Sequence, residues 1–356
     1  MKILLTASFK NGIFCNGLQQ NIITLAELIK DLDHEPLIVV NHKIDECKDP
    51  PFDILIMEEH EIKDQEDIDI CLQTGWVISN KDIDSLNTKN KNFKNIHIHY
   101  GNRLLADIEQ SSWHNRCIPN YKVDEVWISP HYNFSRQYFK SFYNNKNVKI
   151  LPYIWSDKYI KEQESILNQQ GLSAFYKKGS EKNIGILEPN LNMTKHCLPS
   201  ILICEELYNN KKNLFEKLNV YCCSRILDKK YFRSLMWETN IQKDQKVMFH
   251  YRKNISEIFA KESNVIVSNQ LLNGLNYTYL EAIYFNLPLI HNSEFIKDFG
   301  YFYENYNTID GAKQLSNAII FHDENLEESQ TKNKVLLNKY SPKNKDNIEN
   351  YKILFS

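Results

Sequence analysis

Two hydrophobic patterns take turns along the chain. Lys2–Ala7 is a continuous apolar run, followed by a polar loop, Ser8–Gly17. Then Ile22, Leu25, Ala26, Leu28, Ile29 and Leu32 recur at helical spacing, and His34–Pro36 breaks that helix before a second apolar run, Leu37–Val40. This is a strand-loop-helix-strand unit, the start of a doubly wound parallel sheet. Further strands are expected at Ile54–Met57, Trp76–Ile78, Ile96–His99, Glu125–Ile128 and Val148–Leu151, with helical segments between several of them. Lys, Glu, Gln and Ser dominate residues 157–182, which read as a connecting helix and a linker. The alternation then restarts. Strands are expected at Ile184–Leu187, Leu218–Cys223, Val247–His250, Val265–Ser268 and Pro288–His291, and helices at Thr194–Tyr208, Asn254–Lys261 and Asn276–Phe285.

The pattern predicts an α/β protein of two doubly wound units. The expected divisions are 1–156, a linker at 157–183, a second domain at 184–335, and a polar tail at 336–356 that ends in a helix. The length of 356 residues suits two domains, and 42% apolar with 25% charged residues is ordinary for a globular chain. Lys and Arg number 43 against 45 Asp and Glu, a net charge of -2, which argues against a dedicated nucleic-acid binder. No apolar run approaches the ~20 residues of a membrane span. The opening MKILLTASFK reads as a strand rather than a signal peptide. Eight cysteines without CxxC spacing suggest reduced thiols and a cytoplasmic protein. The first loop, GIFCNG, has only Gly12 and Gly17, and neither GxGxxG nor GK[ST] occurs. A nicotinamide enzyme and a P-loop ATPase are both disfavoured.

One stretch carries chemistry: NGLNYTYLEAIYFNLPLIHNS, residues 273–293. Glu281 is a lone carboxylate among large apolar residues. Asn276 is a good N-cap for a helix beginning near Tyr277. The open backbone N–H groups at Tyr277 and Thr278, with the helix dipole, favour a phosphate in front of them. Glu281 follows about one turn in, within reach of a ribose beside that phosphate. Asn286 suits the left-handed residue that ends such a helix. The plainer alternative is that Glu281 is a partly solvated helix residue.

Val247–Ser293 resembles the C-terminal donor-binding domain of GT-B glycosyltransferases. The ordered parts are VMFHYRKNISEIF, NVIVSNQ and NGLNYTYLEAIYFNLPLI, most closely at Leu280-Glu281-Ala282 and Asn286-Leu287-Pro288-Leu289-Ile290. The resemblance implies that Glu281 accepts the ribose hydroxyls of a nucleotide sugar. The family's first glutamate falls eight residues earlier, where this chain has Asn273. IGILEPNLNMTKHCLPSILICEEL, 184–207, resembles the opening of the same domain. It implies that Lys195 stands at the place of the family's diphosphate lysine and Asn190 at that of its arginine, with Arg252 or Arg225 as compensating cations. The whole chain is similar to an uncharacterised bacterial and viral family of GT-B-like proteins. The shared motifs are NGxxQN (Asn16 to Asn21), Gly101-Asn102, PYIWS (Pro152–Ser156), EPN (Glu188–Asn190), NGLNY (Asn273–Tyr277) and HNS (His291–Ser293). The implied fold is GT-B: two Rossmann-like domains facing each other across a cleft, the tail packing back on the first.

On that reading the first domain holds the acceptor. Gly17 opens a helix and can approach a phosphate, while Asn16, Gln19 and Gln20 offer hydrogen bonds suited to a sugar. In HIHYGNRLLADIE, 97–109, a strand runs into a helix and gathers His99, Asn102 and Arg103 as the expected catalytic cluster. His99 is the candidate general base, since its ordinary pKa lies near working pH. His97 and His99 alternate with Ile96 and Ile98, so one of the two is expected to be exposed. His131 is a rival base or an acceptor contact. Trp155 can stack on a sugar or simply pack. Asp67-Ile68-Asp69 and Asp82-Ile83-Asp84 have Asp-x-Asp spacing but lie in acidic, helix-like surface stretches, so no metal is expected, and no cofactor beyond the nucleotide-sugar co-substrate. The leading expectation is sugar transfer to a glycan, lipid-linked or small-molecule acceptor, similar to the retaining branch with stereochemistry left open. The alternatives are transfer to a DNA base, as in viral enzymes, and a non-catalytic scaffold that binds a sugar nucleotide or a partner protein.

Overall fold

The computed structural model describes residues 1–13, 17–48, 53–113, 122–144 and 146–356. The chain divides into two compact units, Met1–Ser156 with Tyr340–Ser356, and Asp157–Lys339.

The first unit is built on β1 (Lys2–Ala7), β2 (Glu35–Val40), β3 (Leu55–Glu58), β4 (Ile70–Gln73), β5 (Lys94–His99), β6 (Glu125–Ile128) and β7 (Asn147–Ile150). All pairings are parallel, in the order β3-β2-β1-β4-β5-β6-β7. Helices α1 (Gly17–Asp31), α2 (Asn80–Lys89), α3 (Arg103–Trp113) and α4 (Arg136–Phe142) make the crossovers. Every residue of β1 beyond Lys2 is buried, as a central parallel strand covered on both faces requires. The fourth strand is Ile70–Gln73, not the expected Trp76–Ile78. Residues Thr74–Trp76 instead fold over the end of β1: Gly75 N–H donates to Thr6 O at 2.9 Å, and Thr6 Oγ1 donates to Trp76 O at 2.7 Å. A Cβ on Gly75 would lie 3.0 Å from the backbone of Ala7, which explains a glycine there. Asp67 and Asp69 precede β4 in a loop rather than a helix, and Asp82 and Asp84 lie on α2.

The second unit opens with α5 (Lys158–Gln169), so residues 157–183 belong to it. Its strands are β8 (Asn183–Ile186), β9 (Lys217–Val220), β10 (Val247–Phe249), β11 (Val265–Val267), β12 (Leu289–His291) and β13 (Tyr301–Phe302). They pair in parallel in the order β10-β9-β8-β11-β12-β13. Its other helices are α6 (Leu198–Asn210), α7 (Lys230–Glu238), α8 (Asn240–Lys243), α9 (Ile255–Lys261), α10 (Tyr277–Tyr284), α11 (Thr308–Phe321) and α12 (Leu326–Tyr340). Ile184, Ile186, Ile201, Leu218, Val220, Val265, Val267 and Leu315 fill a core of strand and helix faces. The strand order reverses at β8, whose neighbours are β9 and β11. Open parallel sheets bind ligands beyond the carboxyl ends of the strands at such a switch point.

The last helix, α13 (Lys345–Phe355), belongs to the first unit. Phe355 meets Trp127 edge-on at 5.6 Å, and Tyr351 Oη donates to Pro152 O at 2.9 Å.

Candidate functional site

Glu188 stands just past β8 and is only 3% exposed. Ser268, just past β11, donates its hydroxyl to Glu188 Oε1, and Gln270 Nε2 donates to Oε2 at 3.0 Å. These bonds cross the switch point of the second sheet. Burial pushes the Glu188 carboxyl up to about 7, against the pull of the Ser268 hydroxyl, the Lys195 charge, the Gln270 amide and the Asn269 N–H. Gln270 Oε1 accepts in turn from Asn273 Nδ2. The backbone of Gln270 is clasped by Asn292, which accepts its N–H at 3.0 Å and donates to its carbonyl at 3.1 Å.

The loop after Glu188 is shaped by Asn190, whose φ of 52° is left-handed. Asn190 Oδ1 accepts the Cys197 N–H at 2.9 Å, and Nδ2 donates to Glu188 O at 3.0 Å and Cys222 O at 3.3 Å. Asn190 N–H also donates to Lys195 O at 3.1 Å. The amide expected to meet a diphosphate is therefore spent on backbone. It fastens a loop that projects Lys195 and leads into α6. Lys195 is half-buried, and its ammonium makes no hydrogen bond among the described residues. Loss of solvation lowers its pKa, Glu188 opposes that fall, and Arg252 adds to it. Arg252 is exposed past the end of β10, and Arg225 is exposed after β9.

Helix α10 supplies the third part. Asn276 is extended (φ −150°, ψ 162°) and caps the helix, its Oδ1 accepting the Tyr279 N–H at 3.2 Å. Its Nδ2 is buried and makes no hydrogen bond among the described residues, although the Tyr279 hydroxyl lies close. The N–H groups of Tyr277 and Thr278 open the first turn beside it. Glu281 is 7% exposed, and its carboxyl makes no hydrogen bond among the described residues. Burial pushes it up to about 7, with Arg252 the opposing charge. The helix ends at left-handed Asn286, φ 56°, and the Leu287 N–H returns to Ala282 O at 2.9 Å.

The His291-Asn292-Ser293 segment braces this loop from β12. Fully buried His291 donates Nε2–H to Phe299 O at 2.7 Å and accepts the Ser293 N–H on Nδ1 at 3.1 Å, which fixes one neutral tautomer. Burial lowers its pKa to about 4. Ser293 Oγ donates to Gly274 O. A Cβ at Gly274 would sit 2.7 Å from the Phe295 ring, so no larger residue fits without movement.

The residues expected to be catalytic in the first unit have other partners. His97 and His99 are both buried, each 7% exposed, which corrects the expectation that one faces water: residues two apart on a strand share a face. They bracket one hydroxyl, His97 Nδ1 and His99 Nε2 each 3.0 Å from Tyr143 Oη. His99 also stacks on Phe139 at 4.9 Å. Burial holds His97 down at about 3 and His99 well below the ordinary histidine range. Asn102 caps α3 by accepting the Leu105 N–H at 3.1 Å, and Arg103 pairs with Asp107 at 2.6 Å. His131 is buried against Tyr132 and Tyr153, Gln20 is buried on α1, and Gly17 is that helix's first residue. Trp155 is 3% exposed and packs. Asn16 lies outside the described residues. Sequence reasoning assigned no role to Ser268 and Gln270, which lie in the quoted stretch NVIVSNQ, and read Glu188 and Asn292 only as parts of motifs. Their position directly after β8, β11 and β12 was the available signal. Among the described residues no cluster of His, Cys, Asp or Glu is arranged to hold a metal ion, and no helix is long and apolar enough to cross a membrane.

A family profile described as "Protein of unknown function (DUF2827)" matches residues 3–355. No curated protein matches the sequence. Among solved structures, a glycosyltransferase from Rickettsia africae is similar with a TM-score of 0.60 at 15% identity, over 99% of this chain and 97% of its own. An alpha-glucosyltransferase in complex with UDP and a 13-mer DNA containing a HMU base gives 0.59 at 11% identity, over 100% of both chains. WaaG, a glycosyltransferase involved in lipopolysaccharide biosynthesis, gives 0.54 at 13% identity, over 93% of this chain and 95% of its own. At such identities the likeness is one of fold, and the fold is GT-B.

Proposed function

The chain belongs to the DUF2827 family, and from the polar cluster in its second unit we propose that it is a glycosyltransferase. It moves a sugar from a nucleotide-activated donor to a glycan, lipid-linked or small-molecule acceptor, without a metal ion. The observation that carries this reading is Glu281: a residue 7% exposed whose carboxyl makes no hydrogen bond among the described residues, one turn inside the helix that Asn276 caps. A buried polar group without a partner is costly unless a ligand supplies one. Vicinal ribose hydroxyls supply two donors to Glu281, and a diphosphate suits the N-terminal turn of the helix that begins at Tyr277 and Thr278, where the helix dipole favours negative charge. Lys195 and Arg252 bring positive charge to the departing diphosphate as the sugar–phosphate bond breaks. Asn273 lies on the loop before the helix, on the sugar side of that arrangement. The acceptor is assigned to the first unit, and a cytoplasmic location is part of the same reading.

A second reading, transfer to a DNA base, is favoured by the full-length likeness to the DNA-bound alpha-glucosyltransferase. The net charge of -2 weighs against it. Thermal-shift titration with UDP-glucose, UDP-N-acetylglucosamine, GDP-mannose and the free diphosphates tests the donor site, because a ligand of the native state raises Tm by mass action. No shift with any of them overturns the proposal. Slow donor hydrolysis separates an enzyme from a binding scaffold, and retention on duplex DNA at moderate salt separates the two acceptors.

A further inference from the structure

The three most exposed aromatic residues among the described residues are Tyr231, Tyr251 and Trp237, at 78%, 75% and 71%. All three lie at one edge of the second sheet. Tyr231 and Trp237 are on α7, the first helix of the crossover from β9 to the edge strand β10, and Tyr251 follows β10. Single exposed apolar residues are ordinary on a surface, but these three are not scattered. Helix α7 turns Phe232 and Met236 inward, and Phe232 meets Phe249 of β10 at 5.9 Å. At about 100° per residue the outward face carries Lys230, Tyr231, Arg233, Ser234, Trp237 and Glu238, all of them exposed. Lys229 and its neighbours Lys230 and Arg233 are exposed, and their side chains make no hydrogen bond or ion pair among the described residues. Lys243 Nζ joins them at the far end of the helix, donating to Glu238 O at 2.9 Å. The acids of this surface are Asp228 and Glu238, while Asp244 nearby is occupied by Lys212 at 3.0 Å and by Tyr208 Oη at 2.8 Å. Four cations therefore stand against two acids, in a chain whose net charge is -2.

We propose that the outward face of α7 docks the protein on an anionic phospholipid surface. Tyr and Trp rings have an apolar body and a polar edge, and they settle at the level of the headgroups. Lys and Arg beside them meet the negative charge of anionic lipids. The inward side chains fix α7 to the sheet, so the outward face is presented without refolding. The contact is peripheral, since no helix among the described residues is long and apolar enough to cross a membrane. Nucleic acid suits this face less well. Bases stack on successive rings along a groove, whereas Tyr231 and Trp237 stand at opposite ends of the outer face of one helix. The proposal does not rest on the donor-site reading, and it uses none of the residues assigned to the donor.

Co-sedimentation with sucrose-loaded vesicles tests it. The parent is expected to bind phosphatidylcholine vesicles that contain phosphatidylglycerol, to bind pure phosphatidylcholine far more weakly, and to come off as salt rises. Replacing both rings, Tyr231→Ser with Trp237→Ser, is expected to lower the partition coefficient about tenfold. Replacing the charges, Lys229→Gln with Lys230→Gln and Arg233→Gln, is expected to lower it about a hundredfold, at roughly a factor of five for each cation. Both variants should melt like the parent, since every changed side chain is exposed. Phe134→Ser, at an exposed ring of the first unit, should bind like the parent. A second measurement needs no loss of binding. Brominated acyl chains should quench the tryptophan fluorescence of the bound parent, and the conservative Trp237→Phe should lose most of that quenching while it still binds. A parent that does not bind the anionic vesicles overturns the proposal, and its retention on single-stranded DNA instead would assign the face to nucleic acid. Parental vesicle binding in either the ring or the charge variant, or unchanged quenching in Trp237→Phe, also overturns it.

Discussion

Asn190 Oδ1 accepts the backbone N–H of Cys197 at 2.9 Å and so closes the loop that presents Lys195. The same side chain reaches three carbonyls through Nδ2, from a backbone with φ of 52°. Asn tolerates that conformation better than most residues, and its amide satisfies groups that a buried loop would otherwise leave bare. Asn190→Ala loses the bonds and strains the backbone, and is expected to cost about 2–4 kcal/mol. Asn190→Gly loses the bonds alone and should cost less. Denaturant midpoints at an unchanged slope read both, and a parental midpoint in Asn190→Ala would show that the clasp is dispensable.

Lys195 carries the prediction in the other direction, on ligand rather than on fold. Its ammonium has no hydrogen bond among the described residues, so its removal breaks little. Lys195→Ala is expected to weaken UDP or GDP binding roughly ten- to a hundredfold, the range for a charge-assisted bond to phosphate, while Tm stays near the parent's. Equal affinity in variant and parent removes Lys195 from the site.

His97 and His99 should behave as neutral packing residues. Both pKa values are lowered, first by burial and then by Arg103 or the neighbouring histidine. Neither imidazole should change its NMR shifts between pH 5 and 8. The sign for stability follows: the unfolded chain takes up protons near pH 6.5 while the folded chain does not, so these two residues destabilise the fold as pH falls below that value. A midpoint near 6.5 for His99 would return it to the list of candidate bases.

The alternation of apolar runs and helical spacings made both sheets legible, because a parallel strand buried on two faces leaves a continuous apolar trace, as in Leu37–Val40 and Ile184–Ile186. The fourth strand was misplaced because Trp76 and Ile78 are also apolar. They pack as a loop, Trp76 Nε1 donating to Val39 O at 3.2 Å, and a short run does not announce its backbone geometry. Tyr301–Phe302 was missed because two residues carry no period. In the candidate site, Asn276 and Glu281 stand in one strand-helix unit and Lys195 in another, and the sequence names them through cap chemistry and through resemblance to GT-B donor domains. The Glu188–Gln270 bond joins residues distant in sequence and is visible only once β8 and β11 are known to be neighbours. His99 misled for the same kind of reason: strand alternation shows which residues share a face, but not that Tyr143 and Phe139 will cover it.

Glu281 decides the functional reading, and its two expected effects have opposite signs. The carboxyl is pushed up to about 7 by burial, against 4.5 for the unperturbed group. The folded state therefore binds a proton between those values that the unfolded state has lost, and stability falls as pH rises through that window. The ionised form above pH 7 costs on the order of 3 kcal/mol. Glu281→Gln removes that cost. It should melt like the parent near pH 4.5 and higher than the parent at pH 8. Ligand binding should move the other way. Ribose hydroxyls donate to the ionised carboxylate, so the parent should bind its nucleotide more tightly at pH 8 than at pH 6 and release protons on binding near pH 6.5. The substitution turns one charge-assisted contact into a neutral one and points an amide hydrogen at a hydroxyl, for a loss of about 1.5–3 kcal/mol, or roughly ten- to a hundredfold. Calorimetry of parent and variant in two buffers of different ionisation enthalpy measures affinity and proton release together. A variant that melts higher at pH 8 yet binds the nucleotide like the parent would leave Glu281 a buried helix residue, with the donor placed elsewhere.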